Sequence, residues 1–60
     1  MMKLRNFYQL ISRNARVNLL KAGQTIFSGS VRDIPDELDD LTVLDFSMDN
    51  EGRLTFKVEG

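Results

Sequence analysis

Apolar residues recur along this chain with two different periods. Leu4, Phe7, Tyr8 and Ile11 stand at i, i+3, i+4 and i+7, the spacing that gathers side chains on one stripe of a helix, while Lys3, Arg5, Asn6 and Gln9 fall on the opposite side. The spacing predicts an amphipathic helix over residues 3–12. A helix of that length is unstable alone in water, so its stripe must dock on another surface. Beyond Asn14 the period changes to two. Val17 and Leu19 alternate with Arg16, Asn18 and Leu20, and Thr25-Ile26-Phe27-Ser28 is rich in β-branched and aromatic residues, so two short strands are expected. If Lys21-Ala22-Gly23 forms a three-residue loop with Gly23 left-handed, Leu20 pairs with Gln24 and Val17 lies opposite Phe27.

The last third predicts its own register. With Asn50-Glu51-Gly52 as a three-residue loop and Gly52 at positive φ, Asp49 pairs with Arg53 and the other partners follow by counting outward. Met48 then meets Leu54, Phe46 meets Phe56 and Leu44 meets Val58 on one face. Asp49–Arg53, Ser47–Thr55 and Asp45–Lys57 fall on the other. A slip of one residue would set Phe46 against Thr55 and Leu44 against Lys57, so pattern and turn chemistry select one pairing. Between the strand pairs, Ile34-Pro35-Asp36-Glu37-Leu38 reads as a single helical turn with Pro35 at its first position and acids near its positive end. Ile34, Leu38 and Leu41 would cap the core.

The expected architecture is therefore α+β: an N-terminal helix packed on an antiparallel sheet of two β-hairpins, about four strands, with a short helical turn between them. Sixty residues allow one domain, residues 1–60, with a marginal core. Leu10, Leu20, Ile26, Leu41 and Val43 exceed what one small interior can take, so some of them are expected in an exposed patch or an interface.

Composition removes several kinds of chemistry. Without cysteine or histidine there are no disulfides, no thiol nucleophile and almost no route to a zinc site. The Ser28-Gly29-Ser30 segment lacks the outer glycines and strand-to-helix turn of a nucleophile elbow. The run Asp36-Glu37-Leu38-Asp39-Asp40 lacks the spacing and central glycine of a calcium loop. Isolated glycines give no phosphate-binding loop. These readings predict no catalytic residue, metal site or cofactor. No stretch has the length of a membrane span or the shape of a secretory leader, which makes the cytoplasm the expected location and a membrane role unexpected.

Charge is the most uneven property of the chain. Residues 1–32 carry Lys3, Arg5, Arg13, Arg16, Lys21 and Arg32 with no acid, whereas residues 33–60 carry nine acids against Arg53 and Lys57, although the net charge is only −1. Two poles suit docking on a charged protein partner or on a second copy of the chain. Candidate contact residues are Lys3, Arg5, Arg13 and Arg16 at one pole and Asp36, Glu37, Asp39 and Asp40 at the other. Nucleic-acid binding through the basic half is the alternative, weakened by the negative net charge and by the placing of Phe7 and Tyr8 on the core stripe.

The motifs Gly23-Gln24-Thr25-Ile26-Phe27-Ser28-Gly29 and Ile34-Pro35-Asp36-Glu37-Leu38, preceded by a short helix and followed by a strand from Val43, resemble a broad group of small uncharacterised proteins encoded by phages and prophages of Gram-positive bacteria. The resemblance implies an accessory role, in which a compact regulatory protein binds a host or phage macromolecule, for instance to modulate a host defence. It brings no catalytic residues.

Overall fold

A computed structural model describes residues 2–60. The chain forms one short helix, α1 (Leu4–Phe7), and four strands: β1 (Arg16–Lys21), β2 (Gln24–Ser30), β3 (Thr42–Met48) and β4 (Leu54–Glu59). Two 3₁₀ turns, Val31–Asp33 and Asp36–Leu38, lie between β2 and β3. The strands make one mixed sheet in the order β2-β1-β4-β3, so the protein is α+β.

The expectation of an all-antiparallel sheet fails at its centre. β1 pairs antiparallel with β2 and β3 with β4, but β1 and β4 run parallel, with Val17 beside Leu54 and Leu19 beside Phe56. Parallel neighbours need a long crossover, and residues 22–53 supply it: β2 and β3 form the two edges of the sheet, and the segment between them, with its two 3₁₀ turns, carries the chain from one edge to the other. Burial explains which strands sit in the middle. β1 contributes Val17 and Leu19, and β4 contributes Leu54, Phe56 and Val58, all buried. These are the most complete apolar rows in the chain, and only a central position covers them on both flanks.

The predicted helix over residues 3–12 shrinks to four residues, although its stripe is oriented as the spacing requires. Leu4 is fully buried, and Phe7, Tyr8 and Ile11 are half-buried against the core. Polar side chains mark the two ends of this segment. Asn6 Oδ1 accepts from the Lys3 N–H at 3.1 Å and caps the start of α1, and Ser12 Oγ accepts from the Asn14 N–H at 3.1 Å in the turn that feeds β1. α1 is held in place by donors that a short helix leaves free. Leu4 N–H bonds to the Leu41 carbonyl at 2.8 Å and Arg5 N–H to the Asp39 carbonyl at 3.0 Å. The Met2 carbonyl accepts from the Val43 N–H at 2.9 Å, and Lys3 bridges Thr42.

Both strand connections are tight, and one departs from the expected register. Lys21 pairs directly with Gln24, so the first loop has two residues instead of three, and a bulge between Leu19 and Leu20 brings Leu19, not Val17, opposite Phe27. Ala22 (φ 53°) and Gly23 (φ 81°) both have positive φ, the signature of a type I′ turn. The second loop is as counted: Gly52 has φ 82°, Asp49 N–H bonds to the Arg53 carbonyl at 2.9 Å, and Met48–Leu54, Ser47–Thr55, Phe46–Phe56 and Asp45–Lys57 are paired. Past Asp45 a bulge intervenes, and Val58 faces Val43 instead of Leu44. The single helical turn expected around Pro35 is the second of the two 3₁₀ turns, with Pro35 just ahead of it.

Two predictions follow from the loops. Ala22 holds a left-handed conformation that costs a residue with a Cβ roughly 1–2 kcal/mol. Ala22→Asn should therefore stabilise the fold by on the order of 1 kcal/mol, seen as a rise in Tm of several degrees; an unchanged or lower Tm would contradict the turn assignment. In the second loop, Asp49 Oδ1 accepts from the backbone N–H of Arg53 at 2.9 Å and of Glu51 at 2.8 Å, and these bonds, that of Arg53 foremost, hold its carboxyl below the ordinary range. A lowered native value means that the stabilisation is complete above the unfolded value of about 4 and is lost as pH falls through the native one. NMR titration should show the Glu51 and Arg53 amide signals moving with a midpoint below that of free aspartate, and Asp49→Asn should abolish the transition.

Candidate functional site

The outermost strand, β3, is paired on one side only, by β4. Because Asp49 and Arg53 exchange a hydrogen bond at the loop, alternation turns the backbone groups of Ser47 and Asp45 toward β4 and those of Phe46 and Met48 away from it. At Val43 the outer side is already taken by Met2, and Lys3 covers Thr42. The free edge therefore runs from Leu44 to Met48, with its one guard at Phe46, whose N–H donates to Asp45 Oδ1 at 2.8 Å.

This edge is apolar and exposed. Leu44 is 50 % exposed, Phe46 55 % and Met48 65 %, with Met2 beside them at 44 %. The sequence pattern places Leu44, Phe46 and Met48 on the buried face, and this expectation is corrected. The β4 partners of Phe46 and Met48, Phe56 and Leu54, are buried, but α1 is a single turn whose Phe7 reaches both Phe56 and Phe46 and leaves the β3 side chains half or more exposed. Phe46 still belongs to a three-ring cluster that leads from interior to surface. Its centroid lies 5.7 Å from Phe7 and 6.1 Å from Phe56, and Phe7 lies 5.2 Å from Phe56. These offset geometries favour packing and hold the Phe46 ring at the edge. Beside it, Met2, Phe7, Val43, Leu44, Asp45 and Phe46 line a shallow hollow of about 300 Å³.

The surplus apolar residues divide. Leu10 is 71 % exposed and Ile26 38 % exposed, Leu20 and Leu41 are half-buried, and Val43 is buried. None of these five forms the exposed β3 edge: its residues Leu44, Phe46 and Met48 are the ones that the alternation assigns to the core, and Val43, the one β3 residue in the surplus, is buried.

The charged candidates do not form two separate surfaces. Lys3 precedes α1 at the Thr42–Glu59 end of the sheet. Arg5, on α1, forms an ion pair with Asp40, and its N–H is held by the Asp39 carbonyl, so part of the basic pole is closed onto the acidic one. Asp36 and Glu37 are exposed in the second 3₁₀ turn. Arg13 and Arg16 lie at the other end of the sheet, where the Arg13 carbonyl accepts from the Arg32 N–H at 3.0 Å and Arg16 faces Ser30. All three of these arginines are exposed, and none forms an ion pair among the described residues.

Asp39 has a further partner that the sequence did not suggest. The Tyr8 hydroxyl donates to Asp39 Oδ1 at 2.7 Å. Burial, then the neighbouring Asp39 carboxylate, pushes the Tyr8 phenol above its ordinary range. A raised native value means that this stabilisation is complete below the unfolded value of about 10 and is lost as pH rises. Tyr8 is the only tyrosine, so phenolate absorbance reports it alone. The absorbance should rise only at a pH above that of free tyrosine, and Tyr8→Phe should lower stability by about 0.5–1.5 kcal/mol in chemical unfolding. An ordinary titration would remove the Tyr8–Asp39 bond from the native state.

No protein-family model, curated protein or solved structure matches the chain. Among the described residues, no cluster of acids is placed to hold a metal ion, and no helix is long and apolar enough to cross a membrane.

Proposed function

We propose that this chain is a non-enzymatic interaction module whose binding surface for another protein is the free edge of β3. The observation that carries this reading is the contiguous row of Leu44, Phe46 and Met48, each half or more exposed, on a strand with unpaired backbone groups. Strand edges of this kind recruit an extended segment: main-chain hydrogen bonds give affinity, and alternate side chains give specificity. An aromatic ring and a methionine side chain are the residue types that concentrate in the centre of protein interfaces. The role is that of a small accessory protein acting in the cytoplasm, in keeping with the resemblance to phage-encoded proteins, and a host-defence component is one class of partner.

A second reading, nucleic-acid binding, is supported by Arg13, Arg16 and Arg32 at the opposite end of the sheet. Three arginines make a small electrostatic footprint, and the acids elsewhere leave the whole chain at −1.

The two readings separate in one comparison. Proteins retained by the wild-type chain from a lysate of cells that produce it should disappear from the eluate of Phe46→Asp and persist with Arg13→Glu/Arg16→Glu, provided both variants melt cooperatively. Identical protein sets from wild type and Phe46→Asp would refute the edge as the binding surface. Polarisation titrations with DNA and RNA that show an affinity falling steeply with salt, and lost in the arginine variant, would favour the second reading.

A further inference from the structure

We infer that the occupant of the β3 edge is a second copy of the same chain, paired antiparallel about a two-fold axis at Phe46. This rests on the edge being a binding surface and names its partner. Three observations select the copy and the register. The first is length. The edge is open from Leu44 to Met48, bounded by Met2 at Val43 and by the loop that starts at Asp49. A two-fold at Phe46 sets Leu44 opposite Met48 of the other copy and Phe46 opposite Phe46, so the open segment is used from end to end with no overhang. The second is charge. The outward backbone groups of the regular part of the edge belong to Phe46 and Met48, since the bulge at Leu44 resets the alternation and turns Val43 outward, and the neighbouring two-folds at Asp45 and Ser47 are the competing registers. The former sets Asp45 against Asp45, and the latter sets Asp45 against Asp49, twice. The two-fold at Phe46 sets Asp45 against Ser47, whose hydroxyl can donate to the carboxylate, and this replaces the bond that Asp45 makes to the Phe46 N–H in the single chain.

The third observation concerns the ends of the paired segment. Lys3 lies next to Met2 on the outer side of β3, and no acid pairs with it among the described residues. In this register the segment beginning at Asp49 of one copy arrives beside Met2 and Lys3 of the other, so each end of the interface brings a lysine to a loop in which Asp49 and Glu51 share Arg53 and leave one negative charge in excess. Symmetry supplies that complementarity twice, as an isologous interface requires. The same pairing extends a four-stranded sheet to eight strands and covers Phe46 and Met48, the most exposed apolar side chains on β3.

The absence of cysteine makes the register directly readable. In an antiparallel pair the opposed Cα atoms are about 4.5–5.5 Å apart, within disulfide range whether or not the pair is hydrogen-bonded, whereas positions displaced by two or more residues lie beyond it. Leu44→Cys and Met48→Cys, each at a side chain already exposed, should stay largely uncrosslinked alone in glutathione buffer and should form a mixed disulfide dimer when combined. Ser47→Cys alone should not cross-link; a strong Ser47 disulfide would overturn the Phe46 register. Sedimentation equilibrium of the unmodified chain should show twice the 6.9 kDa mass, and Lys3→Glu should weaken the association on the order of tenfold at low salt. A monomer at every concentration overturns the second copy. If Phe46→Asp then still loses its lysate partner, the edge remains a binding surface for a different protein, and if it loses nothing, both conclusions fall.

Discussion

Three backbone hydrogen bonds between the first residues and the stretch from Asp39 to Val43, where β3 begins, control the rest of this molecule. Met2 to Val43, Leu4 to Leu41 and Arg5 to Asp39 fasten a helix too short to persist unaided. With the helix fixed, Leu4 is fully buried and Phe7 lies against Phe56, closing the core over β1 and β4. The same bonds occupy the outer side of β3 at Val43 and leave it open from Leu44 onward. One set of contacts therefore decides both what is buried and what is offered to a partner.

Sheet order follows from the same economy of cover. Only one turn of helix and two 3₁₀ turns are available to shield the apolar face, so the strands with the fullest apolar rows take the middle. β2 and β3 become edges. β2 manages its edge with polar residues, Gln24, Thr25 and Ser28 among them, and exposes Ile26 alone among its large apolar side chains. β3 carries Leu44, Phe46 and Met48 along its edge and guards it with one aspartate hydrogen bond. The two edges are chemically unequal, and this asymmetry singles out β3.

Local chemistry was legible in the sequence, and long-range order was not. The pairings from Asp49–Arg53 to Asp45–Lys57 could be counted because the loop residues and the alternation of faces agree. The count breaks at Leu44 because Val43 and Leu44 are both apolar, and either can face Val58, so the pattern is silent about a bulge there. In the first pair, Ala22 at positive φ breaks the residue preference on which the loop length was judged. The parallel contact of β1 with β4 is set by where the crossover carries the chain, and no spacing of residues records it. The functional candidates suffered for the same reason: alternation assigns Leu44, Phe46 and Met48 to the core, and their exposure depends on strand order and on a helix shorter than its stripe.

The uneven charge has a different meaning in three dimensions. Read along the chain, it suggests two docking poles. In the fold, Arg5 is drawn to Asp40 while Asp39 receives the Tyr8 hydroxyl, so one charge pair of the apparent dipole serves to fix α1 to the segment before β3. Exposed ion pairs contribute little energy, about 0–1 kcal/mol, but this one acts beside backbone bonds that already set the geometry. What remains free is Lys3 near the guarded edge and the arginines at the far end. Charge thus has a directing part, choosing register and orientation on a surface whose attraction is apolar, which is the usual division of labour where a small interface must be specific.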